Sequence, residues 1–510
     1  MTVDRIAMNG SIKKPHFVLV PLFAQGHMIP MIDLARLLAH RGVLVTVVTT
    51  PANTARFKAI VDRANVSGLL IRFAEFRFPS TEVGLPEGCE NADLISSLES
   101  LDLMTNFFDA LSMLREPLLR YLREVKPDPS CLVSDSCMPW TVHVAREVGV
   151  PRFVFHGPSC FFLLASRNAS RVKPADPLET IVVPDFPHEL EVVKVQALRF
   201  FEFPGWEKLF GEVAEAEETA DGLVINTFEE LEAVYLERYS KALDKKIWAV
   251  GPVCLANKDA SEKLLRGNKT SVDDKYVLSW LDAKNPNSVI YVSFGTLARN
   301  SSSHLVEVGL GLVAANQAFI WVIKEAELTP AVQTWLEEFE ERTRAMGLIV
   351  RGWAPQVLIL SHPSVGGFMT HSGWNSTLEA VAAGLPMATW PHFADQFLNE
   401  KLVVEVLRTG IAVKARMLAV YRTHECEGLI TREDVEAAVR MVMKGGEEGE
   451  ERRKRAKELG EKAKRAMEEG GSSHESLTLM IQHVLELANN TTDHPSSAIR
   501  KLIDGEMIIS

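Results

Sequence analysis

The 510-residue sequence is short of several things, and each shortage removes a class of answer. No apolar run is long enough to cross a bilayer, and the opening MTVDRIAMNGSIKKPHF lacks the apolar core of a secretory signal, so a cytoplasmic chain without a transmembrane segment is expected. A basic surplus is also missing. Lys and Arg total 55 against 67 Asp and Glu, a formal net charge of −12, and neither nucleic acid nor an anionic membrane would meet the positive surface it needs. The six cysteines, Cys89, Cys131, Cys137, Cys160, Cys254 and Cys426, show neither metal-ligand nor redox spacing and read as reduced thiols. No internal repeat is visible, and the partners that fit are small or neutral molecules.

What is abundant is apolar residues, 46% of a chain longer than one core usually serves, which makes two domains of similar size the default. Short apolar runs alternate with helical patterns. HFVLVPLF is followed by MIPMIDLARLLAHRG and VLVTVVTT, then CLVSD by a helix from about Trp140 to Glu147. A second series after Gly251-Pro252 runs through SVIYVSFG, a helix over Leu305 to Asn316, AFIWVI, LIVRGW, VGGFMTH and PMATWP. Strand and helix alternating in this way predict α/β halves with parallel sheets covered on both faces. The polar segment 256–274 between them suits an interdomain linker. The mixed-charge run Glu447 to Gly471 reads as a solvated helix face, and SLTLMIQHVLELA as a last amphipathic helix.

The stretch from Trp353 to Gln396 carries most of the chemistry. After VGGFMT come His371-Ser-Gly-Trp-Asn-Ser-Thr-Leu-Glu379 and a helical run closed by Gly384. A strand ending in a Gly/Asn/Ser turn that opens a helix presents free backbone N–H groups and the positive end of the helix dipole, a cradle for a diphosphate. His371, Asn375 and Ser376 add side-chain donors. Ser376-x-x-Glu379 also has the form of a capping box, which would fix the same turn, while Glu379 can instead accept from ribose hydroxyls. Trp353 offers a flat face for a uracil ring and Gln356 an amide that reads a base edge. Asp395-Gln396 closes the stretch with an acid and an amide suited to sugar hydroxyls.

This stretch resembles the signature box of the plant family-1 UDP-dependent glycosyltransferases over its full span. The likeness extends to Gly26-His-Met-Ile-Pro-Met31, to the Val292-Ser-Phe-Gly-Thr296 strand end and to the GGSSHESL region near Gly470, so it covers nearly the whole chain. It is similar above all to the subgroup that glycosylates flavonoids, terpenoids and steroid-like saponins. The resemblance implies two doubly wound Rossmann-like domains facing each other across a cleft, the GT-B arrangement. It implies uracil on Trp353 and Gln356, ribose on Glu379, diphosphate on His371, Asn375 and Ser376, and sugar on Trp374, Asp395 and Gln396, with Ser293 and Thr296 assisting. Gln396 in place of His resembles members that prefer UDP-glucose over UDP-galactose. Ser372, where the family often has Cys, and His392, where an aliphatic residue is usual, are departures. The domain expectation is a tail at 1–14, an acceptor-binding domain at 15–255, the linker at 256–274, a UDP-sugar-binding domain at 275–475, a helix at 476–490 returning to the first domain, and a tail at 491–510.

His27 follows the strand HFVLVP and Asp135 ends CLVSD, so both lie at carboxyl ends of parallel strands, where open α/β sheets place their sites. An imidazole can take a proton from a hydroxyl while a carboxylate on its other nitrogen fixes the tautomer. The family likeness makes His27 the catalytic base and Asp135 its partner, in a direct displacement with inversion at the anomeric carbon. No Asp-x-Asp pair occurs, so no metal is expected, and the helix N-terminus with His371 would take the leaving-group charge. Acceptor walls are expected among the aromatics of the first half, with Phe155, Phe200 and Trp206 as candidates. The expectation is a monomeric glucosyltransferase acting on a lipophilic hydroxylated small molecule. A UDP-sugar epimerase or hydrolase and a non-catalytic binder of UDP-sugars or metabolites are the alternatives.

Overall fold

The computed structural model describes residues 14–95, 101–174, 176–199, 202, 205–413 and 430–492. Strands form where five- or six-residue apolar runs are buried on both faces, the pattern of parallel sheets flanked by helices. The first sheet contains β1 (His16–Val20), β2 (Leu44–Thr49), β3 (Ile71–Glu75), β4 (Cys131–Asp135) and β5 (Arg152–His156). A small hairpin, β6 (Thr180–Val182) and β7 (Glu191–Val193), precedes β8 (Gly222–Ile225) and β9 (Ile247–Ala249), which complete the sheet in the all-parallel order β3-β2-β1-β4-β5-β8-β9.

The second sheet is built from β10 (Val289–Ser293), β11 (Ala318–Ile323), β12 (Gly347–Arg351), β13 (Val365–Thr370), β14 (Met387–Thr389) and β15 (Gly410–Ala412), in the order β12-β11-β10-β13-β14-β15. This is the expected pair of doubly wound sheets. In each, the chain leaves the central strand in one direction and then returns to its other side, so the switch points lie between β1 and β4 and between β10 and β13. Ligands of such sheets bind outside the carboxyl ends at the switch point. His27 follows β1 and Asp135 ends β4 at one switch point; Thr296 follows β10 and His371 follows β13 at the other.

The halves are joined by more than chain. One buried apolar cluster runs from Phe161 and Phe228 of the first half to Tyr291 and Leu378 of the second. The final helix, Ser472–Thr492, returns to the first sheet, where Met480, Ile481 and Val484 enter the core around Trp248 and Ser473 donates to the Gly251 carbonyl at 2.5 Å. Among the described residues no helix is long and apolar enough to cross a membrane, and the five described cysteines are free; Cys426 lies outside the described residues.

Segment 256–274 connects the sheets, yet it is not loose. It contains a short helix, Ala260–Leu264, and its polar residues are anchors: Asn257 Nδ2 donates to Asp33 at 2.8 Å, and Glu262 pairs with Arg36 at 2.5 Å. Polar composition signalled a linker because composition does not distinguish solvated charges from buried ion pairs.

Candidate active site

A cleft of about 1280 Å³ lies between the carboxyl ends of the two sheets. On the first half its floor is the start of α1 (Gln25–Ala39). No side chain of the N-cap residue caps this helix; Asp93 instead accepts from the Gln25 N–H at 3.1 Å, which fixes the turn carrying His27. His27 Nδ1 lies 2.8 Å from Asp135 Oδ2, and the His27 side chain is 29% exposed while Asp135 is buried. The other Asp135 oxygen accepts from the Cys137 N–H at 2.9 Å. Burial disfavours the charged imidazole, but the charge and hydrogen bond of Asp135, helped by Asp93 and Asp395, outweigh it and raise the His27 pKa. The pair has the geometry of a base held in one tautomer by a buried carboxylate.

Across the cleft, α2 (Trp374–Ala383) begins without a side-chain cap on Gly373. Its first N–H groups are thus left without the usual capping oxygen and stand at the positive end of the helix dipole. Ser376 is the third residue inside this helix and not its cap, so the capping box expected at Ser376-x-x-Glu379 does not form; Ser376 Oγ accepts from Gln356 at 3.0 Å. The His371 ring sits behind the loop that follows β10. A Cβ on Gly295 would lie 2.5 Å from His371 Nε2, and Gly295 has φ +70°, so only glycine lets the loop cross the ring. Burial, with Lys324 nearby, lowers the His371 pKa to about 3, leaving a neutral ring that donates as an N–H and carries no charge. Ser293 and Thr296 line the cleft beside it.

The groups expected at a base and ribose form a network. Glu379 Oε2 accepts from Gln356 Nε2 at 2.7 Å, and Tyr291 O–H donates to Gln356 Oε1 at 3.4 Å. The Gln356 amide is therefore turned toward Glu379 and not presented free to read a base edge. Glu379 Oε1 accepts from Arg266 Nη1 at 2.5 Å, and Arg266 Nε donates to Asp33 on α1 at 2.7 Å. Trp353 stands at the cleft wall, held by reciprocal backbone and side-chain bonds with Ser271 of 2.8 and 2.9 Å. Sequence reasoning missed Arg266. The signal was a lone Arg before Gly267 in a polar segment, which nothing in the pattern separates from a solvated charge.

Toward the expected sugar position, Asp395 is half-buried at the cleft, accepts from Asn399 Nδ2 at 2.7 Å, and has a pKa raised by desolvation to about 6. Gln396 Oε1 accepts from the N–H groups of His392 and Phe393 at 2.8 and 3.1 Å, which tightens the turn before the helix. His392 is buried and hydrogen-bonded to Asn300 at 3.1 Å, behind the cleft surface. The Trp374 indole is 4% exposed and donates to the Asn226 carbonyl at 2.7 Å, so this side chain joins the two halves and leaves only the start of the helix to face a sugar.

The acceptor candidates fare differently. Phe155 is fully buried in the first core and does not reach the cleft, because β5 alternates and its cleft-facing neighbours are Val154 and His156. Phe200 lies outside the described residues. Trp206 is also buried, edge-on to Phe108 at 5.5 Å, and it is Phe108 that lines the cleft. Leu22, Met104, Phe108, Phe162 and Leu163 form apolar wall, with a polar patch at one side where Glu217 meets His156 at 3.0 Å and Arg199 at 3.3 Å.

One group of possible metal ligands occurs among the described residues: His27, Asp135 and Cys137, with donor atoms within 4.8 Å of one another. It is poorly suited to a cation. His27 Nδ1 and both Asp135 oxygens are engaged with each other or with backbone, and burial with the Asp135 charge pushes the Cys137 thiol well up, keeping it protonated.

Comparison with known proteins gives a consistent likeness. Residues 16–255 match the family described as "Glycosyltransferase, N-terminal domain", and residues 268–450 the family "UDP-glucoronosyl and UDP-glucosyl transferase". UDP-glycosyltransferase 73C3 of Arabidopsis thaliana is 47% identical over 93% of this chain and 97% of its own. The crystal structure of Glycyrrhiza uralensis UGT73P12, complexed with glycyrrhetinic acid 3-O-monoglucuronide, superposes with a TM-score of 0.85 at 36% identity over 97% of this chain and 99% of that one. Arabidopsis thaliana UGT89C1, complexed with UDP-L-rhamnose, gives a TM-score of 0.72 at 28% identity over 94% and 100%.

Proposed function

The chain belongs to the UDP-dependent glycosyltransferases of the GT-B fold, the premise from which we propose that it transfers glucose from UDP-glucose, with inversion, to a hydroxyl of a lipophilic small molecule of flavonoid, terpenoid or steroidal saponin type. The observation that carries the reading is the His27–Asp135 pair at 2.8 Å, whose imidazole faces the same cleft as the uncapped start of α2 and the neutral His371.

In this reading residues 15–255 hold the acceptor and 275–475 the donor. Trp353 holds the uracil end, with Gln356 beside it and its amide engaged by Glu379 and Ser376; Glu379 takes the ribose, and His371, Asn375, Ser376 and the α2 backbone the diphosphate, with Ser293 and Thr296 beside it. Asp395, Gln396 and the Trp374 end of α2 take the glucose. His27 removes the acceptor proton as the acceptor oxygen attacks the anomeric carbon. The bond from that carbon to the phosphate oxygen breaks, UDP leaves with the electron pair, and the proton resides on His27, where Asp135 stabilises the imidazolium. Neutral N–H donors aimed at the diphosphate stabilise the charge that develops there. The reading includes a monomeric, cytoplasmic enzyme that needs no metal.

Glucose is favoured by Gln396 at the end of the signature stretch; UGT89C1, described with UDP-L-rhamnose, is a reminder that the fold alone does not choose the sugar. A lipophilic acceptor is supported by the apolar wall around Phe108 and Phe162, and by the glycyrrhetinic acid 3-O-monoglucuronide with which UGT73P12 is complexed. The polar patch of Arg199, Glu217 and His156 suits an acceptor with a second polar group. A simple binder would make no use of a base, and an epimerase or hydrolase no use of an apolar wall beside it.

The test is mass spectrometry of purified protein with UDP-glucose and a panel of flavonols, triterpenes, steroidal sapogenins and simple phenols. A product heavier by one hexose, absent with His27→Ala, is expected. Turnover retained in His27→Ala would overturn the mechanism, and a product formed only with another UDP-sugar would overturn the donor.

A further inference from the structure

Three groups of one short segment lie between the expected donor site and the helix that carries His27. Arg266, only 8% exposed by side chain, forks between Glu379 at 2.5 Å and Asp33 at 2.7 Å. Burial alone would weaken its charge, yet Asp33 and Glu379 hold the guanidinium pKa above its ordinary value. Gly267, at φ +93°, is wedged between Trp353 and α1: an added Cβ would lie 2.6 Å from the indole Cζ2 and 3.1 Å from Ile29 Cδ1. Ser271 then pairs with the Trp353 backbone in both directions.

Two of these contacts on the donor side have a counterpart on α1. Arg266 links Glu379 to Asp33, and Gly267 separates Trp353 from Ile29; both α1 residues lie within two turns of His27. The segment itself is anchored to α1 upstream, where Asn257 Nδ2 donates to the second Asp33 oxygen at 2.8 Å and Asn257 Oδ1 accepts from Arg36 Nη1 at 2.6 Å.

We infer that Arg266 is a positioning residue for glycosyl transfer, and that the strap Arg266–Ser271 sets the register of the UDP site against the helix bearing the base. The inference rests on the donor assignment proposed above. Arg266 occupies one lone pair of Glu379 Oε1 and Gln356 one of Oε2, which fixes the carboxylate plane and leaves its remaining lone pairs for ribose hydroxyls. Because the same guanidinium is held by Asp33, the orientation of Glu379 depends on a residue of the other half. A strap of this kind makes the nucleotide site sensitive to α1, although α1 supplies no group proposed to touch the nucleotide.

Calorimetric titration with UDP tests this on the full chain and on Asp33→Asn, Arg266→Lys and the double variant. Asp33→Asn is isosteric, and Arg266→Lys keeps a cation between the two acids but loses the fork. Each single change is expected to weaken UDP binding about 5- to 10-fold, and the double change by clearly less than the product of the two, the signature of groups in one network. A role confined to folding would lower the melting temperature of these variants and leave UDP affinity within twofold of wild type, and that result overturns the inference. Wild-type protein that fails to bind UDP overturns the donor assignment and the strap with it, whereas wild type and Asp33→Asn that bind equally well overturn the strap alone.

Discussion

Asn375 Nδ2 donates to the Gly26 carbonyl across the cleft at 2.6 Å, and that carbonyl is available because Pro30, four residues on, has no N–H to take it within α1. The residue expected at the diphosphate and the turn that carries His27 are thus joined by one bond that a proline makes possible. The second hydrogen of the amide remains for a phosphate oxygen.

Asn375→Asp is the sharpest test of this arrangement. The change keeps the shape and replaces a donor by a carboxylate, which would face both the Gly26 carbonyl and the diphosphate. UDP affinity measured by calorimetry is expected to fall by about 100-fold or more, in line with about 1.5–3 kcal/mol for a lost charge-assisted hydrogen bond plus repulsion between like charges. An affinity within a few fold of wild type would remove Asn375 from the phosphate site.

The pH profile follows from the sign of the His27 shift. The reactive imidazole is neutral, so kcat/KM falls as pH drops through the His27 pKa, and because that pKa is raised above 6.5 the acid limb is expected above 6.5. In Asp135→Asn burial acts without the compensating carboxylate. The limb then moves to lower pH while the maximal rate falls by roughly 100- to 10,000-fold, since the tautomer is no longer held. Asp395 loses its carboxylate form below about 6, and this is expected to show as a rising KM for UDP-glucose that Asp395→Asn removes. A limb that stays in place in Asp135→Asn would show that another group titrates.

The strand-helix alternation, the paired sheets and the strand-turn-helix of the donor stretch were legible in sequence because they rest on local signals: buried apolar runs, and a Gly/Asn/Ser turn between a strand and a helix. What was not legible was direction and partnership. Phe155 and Val154 are neighbours in one apolar run, and only the pleat of β5 decides that Phe155 enters the core while Val154 faces the cleft. The resemblance points Trp374 toward a sugar, but its indole reaches Asn226, a residue 148 positions away. Arg266 needed two acids from opposite halves before it meant anything.

Gly295→Ala separates loop geometry from general stability. The added Cβ meets the His371 ring, and φ +70° disfavours any side chain, so a loss of about 1 kcal/mol or more in unfolding free energy is expected from the backbone alone. The functional loss should be larger than that strain implies, because the ring must move away from the diphosphate. The KM for UDP-glucose is expected to rise about tenfold or more while the fold persists by circular dichroism. A variant that is destabilised but has an unchanged KM would place His371 outside the donor site.

The acceptor wall can be tested without touching the donor. Leu163 lines the cleft on the helix Cys160–Ala169, whose start is capped by Ser159 Oγ, accepting from Phe162 N–H at 3.1 Å. Leu163→Trp adds bulk at that wall while keeping it apolar. Transfer to broad polycyclic acceptors is expected to drop by about tenfold or more in kcat/KM, the scale on which apolar pockets discriminate by shape, with little change for a simple phenol. UDP affinity should remain within twofold, since the helix bears no proposed donor contact. Equal losses for large and small acceptors would mean that the substitution disturbs the site as a whole, and that the acceptor lies against a different face of the cleft.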